Sequence, residues 1–335
     1  MKNITNHKRM HLRYKSLAAT SIICLCLWLV PSMPAVSGDV SNITGAFLDV
    51  GLGAAPMGMA GSNTVLVRDV HALLSNPAGL TSVNGQELAF SMTKQFSIIP
   101  YNVFLYGQKI EGVGGIGVGF LTSGDDALKE NTVILSYARL IAKGIAGGLT
   151  FKYRQASYGN NDEGMWDYNG GNRQVTGDAK GFGMDIGFRG RLAKQMGFGI
   201  LLKDVFSSVN YNASNEVGTA KGGSESIPTS LVLGVAYISQ RYLTFEFNLR
   251  SGLHDDTSDR FYLGAERDLF NLIALRGGFS QNVNSANVNR NYTAGFGIGR
   301  AIKPMMMKID LDFAYVINDF QNFYHIGLKL ERNTK

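Results

Sequence analysis

Residues Leu243–Arg250 read LTFEFNLR. Leu243, Phe245, Phe247 and Leu249 occupy one parity, while Thr244, Glu246, Asn248 and Arg250 occupy the other. Successive strand side chains point to opposite faces, so this stretch is a strand with an apolar face and a polar face. The same alternation recurs along the chain. Met307, Ile309, Leu311, Phe313 and Tyr315 interleave with Lys308, Asp310, Asp312 and Ala314. Phe182, Met184, Ile186 and Phe188 interleave with Gly183, Asp185, Gly187 and Arg189, and Leu149, Phe151 and Tyr153 with Thr150, Lys152 and Arg154.

Working outward from these segments, fourteen strands are expected, at 86–94, 100–110, 113–123, 131–141, 145–156, 179–192, 196–206, 229–239, 242–251, 259–268, 271–281, 290–300, 305–317 and 322–331. Most are near the roughly 9–11 residues that cross a bilayer at a tilt. Their connections alternate in length. Short ones fall at Glu111-Gly112, Ala142-Lys143-Gly144, Ala193-Lys194-Gln195, Gln240-Arg241, Leu269-Phe270 and 301–304. Longer ones fall at 124–130, 157–178, 207–228, 252–258 and 282–289; the connections at 95–99 and 318–321 fit this rhythm less well. A soluble sandwich also alternates, but it does not confine short turns to one end. Bulky side chains on nearly every strand would be an aggregation hazard in water, whereas hydrocarbon satisfies them. The expectation is an all-β fold: a transmembrane antiparallel β-barrel of about 14 strands.

Only 17% of the residues are charged, and there are 41 Gly but 7 Pro. Glycine spread through apolar segments suits strongly curved strands in which a small inward residue relieves crowding. The net charge of +6 is concentrated at the start: Lys2, Lys8, Arg9, Arg13 and Lys15 lie in the first 37 residues, which hold no acid. No basic stripe remains for a nucleic-acid partner. This start reads as a signal peptide over 1–37. Leu17–Val30 is an apolar run too short to span a bilayer, and Ala35-Val36-Ser37 would permit cleavage before Gly38. Both cysteines, Cys24 and Cys26, fall within it, so the mature chain would hold no disulfide or thiol site.

Residues 38–84 do not alternate and are too apolar for a disordered leader. A short helix is expected near Asp69–Leu74, ended by Asn76-Pro77, with Gly79 as a turn residue. Such a stretch before a barrel, itself assigned to 85–335, suggests a plug or hatch in the lumen, with Asn76, Pro77, Ala78 and Gly79 as its gating residues. Glu246, Arg250, Arg276, Lys308, Asp310 and Asp312 would line the inner wall, since on the lipid face each charge would cost roughly 2–4 kcal/mol at mid-depth. They read as a network anchoring the plug or as a polar lining that gates passage.

No enzyme, metal or cofactor chemistry is indicated. His254-Asp255-Asp256 reads as a solvated loop cluster, and His325 belongs to the lumen-facing set with Lys329. The glycine runs Gly112–Gly119 and Gly295–Gly299 lack the strand–loop–helix context of a phosphate loop.

The run GAFLDVGLGAAPMGMAG at Gly45–Gly61, followed by RDVHALLSNPAGL at Arg68–Leu80, resembles the N-terminal signature of the FadL superfamily, and within it the PorV/PorQ-type branch. NFYHIGLKLE at Asn322–Glu331 and IPTSLVLGVAY at Ile227–Tyr237 are similar to strands of that branch. The chain does not end on an aromatic residue, which departs from the usual signal to the barrel-assembly machinery. The resemblance implies a fourteen-stranded barrel with an N-terminal hatch in the bacterial outer membrane, in contact with its lipid. It implies passive transport of hydrophobic, long-chain fatty-acid-like molecules. The alternative it implies is a non-transporting scaffold or shuttle for an exported protein, as in type IX-like secretion and surface attachment.

Overall fold

The computed structural model describes residues 51–332 except 52, 96–98, 126, 160–175, 215–221, 240–242, 254–257, 271, 284–288 and 303–305. The expected signal peptide, the start of the segment at 38–84 and His254-Asp255-Asp256 lie outside the described residues.

The strands are β1 (Gln86–Gln95), β2 (Ile99–Ile110), β3 (Gly114–Gly124), β4 (Leu128–Ala142), β5 (Ile145–Tyr158), β6 (Thr176–Ala193), β7 (Met196–Ser214), β8 (Gly223–Ser226), β9 (Ser230–Ile238), β10 (Leu243–Gly252), β11 (Arg260–Leu269), β12 (Ile273–Asn282), β13 (Arg290–Ile302), β14 (Met307–Asn318) and β15 (Phe323–Arg332). Neighbours in sequence pair antiparallel, β7 pairs with β9, and β1 pairs with β15 through registers such as Phe90↔Leu328. The β6–β7 pairing completes a closed ring of fourteen strands. Closure leaves no unpaired edge inside hydrocarbon, where a bare backbone group would be costly. β8 stands apart from the ring and extends a β6–β7 hairpin that projects past it.

The alternation in the sequence is the alternation of the wall. Leu88, Phe104, Leu135, Phe151, Phe245, Leu311 and Ile326 point outward and are exposed, Phe151 by 56%. Their strand neighbours, among them Thr132, Thr150, Glu246, Asp312 and His325, point inward and are buried. The ring is therefore a barrel built to sit in lipid. Two details differ from the sequence reading. The connection at 124–130 shrinks to 125–127, because β3 and β4 pair out to Gly124↔Lys129. The long loop at 207–228 is in part strand, since β7 continues to Ser214 and pairs with β8.

The first described residues form a one-turn helix α1 (Ala54–Gly58) and two 3-10 turns at Val70–Leu73 and Pro77–Ser82. Asp69 caps the first 3-10 turn by accepting the His71 amide, and Asn76 caps the second by accepting the Ala78 amide. The expected helix is thus a single tight turn. Pro77 starts a second turn rather than only ending the first, as a fixed φ permits at a first helical position. These residues meet inward positions all round the ring. Met59 lies against Gly264 and Gly278, Thr64 against Gly199, Leu73 against Gly117, Leu80 against Gly115, and Ala78 against Gly148. A segment that touches the inner face of so many strands lies within the ring.

The buried core sits at that junction. Val67, Val70, Leu73, Leu80 and Val83 of the segment pack on Tyr101, Val103, Leu105, Leu121 and Ile134 of β2–β4. Inward glycines allow the approach. A Cβ on Gly148 would stand 2.6 Å from both the Ala78 nitrogen and the Pro77 carbonyl carbon, and one on Gly115 would stand 2.3 Å from the Leu80 oxygen. Neither backbone could remain where it is.

Candidate functional site

The site is the junction between the N-terminal segment and the charged side of the inner wall. Glu246, on β10, is 1% exposed. Its Oε1 accepts the backbone N–H groups of Thr64 (2.5 Å) and Val65 (2.8 Å), and its Oε2 accepts that of Leu66 (2.9 Å). The Ser62 hydroxyl donates to the Glu246 carbonyl at 3.0 Å. One carboxylate thus satisfies three consecutive amides that no strand or helix pairs. Across the same loop, the Arg189 guanidinium of β6 donates to the Val67 carbonyl and the Ser82 hydroxyl.

Asn76 is fully buried. Its side-chain amide donates to the carbonyls of Thr64 (2.9 Å) and Phe188 (3.0 Å), the latter on β6, while its oxygen accepts the Ala78 N–H at 3.1 Å. It therefore ties two parts of the segment to each other and to the wall. Pro77, Ala78 and Gly79 are buried beside it, Pro77 against Gly187 and Gly79 against Val67 and Ala72.

A second attachment is ionic. Lys329, on β15, places its ammonium 2.9 Å from Asp69 of the segment and 3.6 Å from Asp310 of β14. Lys308 pairs with Asp310 at 2.8 Å. Burial pushes the Asp69 carboxyl up, but the Lys329 ammonium and the adjacent His71 outweigh it and hold the group well below the usual carboxylate range. Glu87 of β1 accepts the amides of Val70 (2.8 Å) and Asn84 (3.2 Å).

The remaining expected lining residues are placed as follows. Arg276 of β12 bridges Glu266 (2.6 Å) and Asp312 (2.5 Å), a wall-to-wall network spanning β11 to β14. Its β- and δ-carbons form the floor for Gly58. Arg250 is half-buried on β10, one strand turn beyond Asn248. Glu246 therefore holds the segment directly, Arg276 lies beneath it, and Lys308, Asp310 and Asp312 join the charged network behind it.

Sequence reasoning did not single out Asp69, Glu87, Arg189 or Lys329 as anchors. Nor did it single out the buried group where β7 bulges. There Lys152 pairs with Asp185 (2.6 Å) and Asp204 (3.1 Å), and Arg154 with Asp204 (2.5 Å). Asp204 and Phe206 take positive φ of 57° and 53°, and the pairing register shifts beside them. Two extra residues of β7 turn the Asp204 carboxylate inward, to meet two cations, and leave Phe206 88% exposed. For Glu87, Lys152, Arg154, Asp185, Arg189 and Lys329 the signal, inward parity plus charge, is present in the sequence; Asp69 lies outside the strands, and Asp204 is turned inward only by the bulge.

The lumen has patches of two characters. The β2–β4 side is apolar and is covered by Leu73 and Leu80; charged groups lie on β5–β7 and on β10–β15, the latter beside a small apolar cluster of Met57, Ala314, Val316 and Phe323. Behind the apolar side, an outward groove of about 300 Å³ is lined by Leu88, Phe90, Phe104, Phe120, Leu328 and Leu330.

No family model matches the chain, and no curated protein matches it. Solved structures do. The CymD monoaromatic hydrocarbon channel superposes with a TM-score of 0.60 at 15% identity, covering 85% of this chain and 98% of that one. The Pseudomonas putida toluene transporter TodX gives 0.60 at 13% identity, covering 85% and 99%. A Pseudomonas aeruginosa FadL homologue gives 0.59 at 10% identity, covering 84% and 98%. At these identities the likeness is one of fold.

Proposed function

We propose that this chain is a bacterial outer-membrane barrel of the FadL superfamily, PorV/PorQ type, through which hydrophobic small molecules of the long-chain fatty-acid class pass without an energy source. The segment containing Asn76, Pro77, Ala78 and Gly79 is its hatch. The observation that carries this reading is the filled lumen, apolar on its β2–β4 side. The wall is closed, and its interior holds a separate stretch of chain attached mainly through side-chain contacts to backbone groups. Such contacts can break and re-form without disturbing a single ladder bond of the barrel. An apolar ligand displaces Leu73 and Leu80 from the β2–β4 side, where it exchanges one apolar neighbour for another. The charged side keeps the hatch tethered at Glu246 and Lys329 meanwhile. The fold shared with hydrocarbon channels supports the same class of cargo.

The test is uptake of a fluorescent long-chain fatty acid by liposomes containing the full-length protein. Uptake is expected to exceed that of liposomes holding an unrelated closed barrel, and to rise in the Glu246→Ala variant. Equal rates in all three would end the transport reading. Capture of an exported protein, lost on deleting either 157–178 or 207–228 and unaccompanied by uptake, would instead favour the scaffold.

A further inference from the structure

The outward face of the barrel carries almost all of its charge at its two rims, and nearly all of it is positive. At the long-loop end, the outward positions include Lys94, Lys129, Lys180 and Arg290, all exposed. At the short-turn end they include Arg139, Arg267, Arg300 and Arg332, also exposed. Among the described strand residues, Asp178 is the sole outward acid, and it faces Lys180 at 3.9 Å. Between the rims, outward positions are apolar or uncharged. On β4, Asn131, Val133, Leu135 and Tyr137 separate Lys129 from Arg139; on β13, Tyr292, Ala294, Phe296 and Ile298 separate Arg290 from Arg300.

Those two spans are equal in length, although β4 and β13 stand almost opposite each other in the ring. Ten residues at about 3.3 Å each, tilted by roughly 40°, rise about 25 Å along the barrel axis, which is the height of a barrel's hydrocarbon belt. The cations therefore stand at the depth of lipid headgroups. The four arginines make no hydrogen bond or ion pair through their guanidinium groups with any described residue, so their donors are free for a partner. At the same rim, Phe270 (93% exposed), Leu140, Leu192 and Leu272 stand bare on or beside the short turns. Apolar residues beside unpaired arginines suit the border where acyl chains meet headgroups, and a guanidinium matches a phosphate with two parallel hydrogen bonds.

We propose that the short-turn rim is a binding surface for anionic phospholipid, in which Arg139, Arg267, Arg300 and Arg332 each engage a headgroup phosphate. It rests on the barrel spanning a bilayer and not on what crosses it, so an uptake assay can fail while this surface stands.

The test reconstitutes the full chain in phosphatidylcholine vesicles and measures, by spin-label electron resonance, the association of labelled phosphatidylglycerol relative to labelled phosphatidylcholine. The native protein should prefer phosphatidylglycerol, with each arginine site favouring it about fivefold. The R139Q/R267Q/R300Q/R332Q variant should lose most of the preference and K94Q/K129Q/K180Q only a smaller part of it, because an ammonium lacks the paired donors that a guanidinium offers a phosphate. Should the fourfold variant not insert, R139Q and R300Q singly should each reduce the preference. A native protein without preference, a fourfold variant that retains it, or a loss confined to the lysine variant would overturn the proposal.

Discussion

Glu246→Ala isolates the grip on the N-terminal segment. The carboxylate accepts three amides at 2.5, 2.8 and 2.9 Å, and Thr64 and Val65 lie where solvent does not reach. A hydrogen bond to a charged acceptor is worth about 1.5–3 kcal/mol, and a buried donor left without a partner costs about 1–3 kcal/mol. Three bonds taken at face value exceed what one side chain delivers, because the loop relaxes once released. A loosening of about 3 kcal/mol is the reasonable sum, which is on the order of 100-fold in the local opening equilibrium. Glu246→Gln keeps one oxygen for Thr64 and Val65 but presents an amino group to Leu66; about 1–2 kcal/mol, or roughly tenfold, is expected. The assay is amide hydrogen exchange on the full-length protein in lipid. Exchange at 64–66 should accelerate by those factors, while β10 amides keep their protection. Unchanged exchange at 64–66 in the alanine variant would refute the idea that this carboxylate holds the loop.

Gly148→Ala should destabilise the segment by about 1–3 kcal/mol, since its Cβ has no room beside Pro77 and Ala78; Gly277→Ala, whose nearest neighbour would stand 3.9 Å away, should be silent in the same thermal-melt comparison. Arg276→Ala leaves the buried Asp312 without its cation, beside a partly exposed Glu266, and should cost about 2–3 kcal/mol in denaturant titration of the barrel. The low folded pKa of Asp69 gives the N-terminal segment a defined acid response. A carboxylate depressed on folding adds stability above its unfolded value near 4, and that stability is lost only as pH falls through the folded value. The part of the Val70–Leu73 protection that Asp69 supplies should therefore drop only below the ordinary carboxylate range, and Asp69→Asn should lower protection at neutral pH but no longer differ from the native protein once the native Asp69 is protonated.

The wall was legible in the sequence because each strand writes its own two faces in alternate residues. Ladder neighbours are set by short turns, so a run such as Leu243–Arg250 states its orientation without reference to the rest of the chain. The contacts of the N-terminal segment were not legible, because each joins residues far apart in sequence. Glu246 meets residues more than 180 positions earlier, and Lys329 meets Asp69 across 260. Inward parity marked Glu246 and Arg276 as candidates, but nothing local distinguishes a carboxylate that grips a loop from one that pairs with a neighbouring strand. Asn76 was noticed for the proline after it, whereas its structural importance lies in its amide, which ties Thr64 to β6. The bulge at Asp204 also escaped notice, since it breaks the alternation by which strands are recognised.

The glycines connect these two levels. A fourteen-stranded ring is too wide for its own inward side chains to fill, and here many of those side chains are glycine, as at Gly115, Gly148, Gly187, Gly199, Gly264 and Gly278. Taken alone, such a wall would enclose an open pore. It becomes a closed body only because the segment supplies Leu73, Leu80, Met57 and Met59 as the missing core. The barrel therefore keeps its hydrogen bonds in the wall and much of its interior packing in a separate stretch of chain. If that piece moves, the ladder need not, so opening costs the packing and tethers of the segment alone. A solid-cored barrel of the same size could not open without breaking its wall.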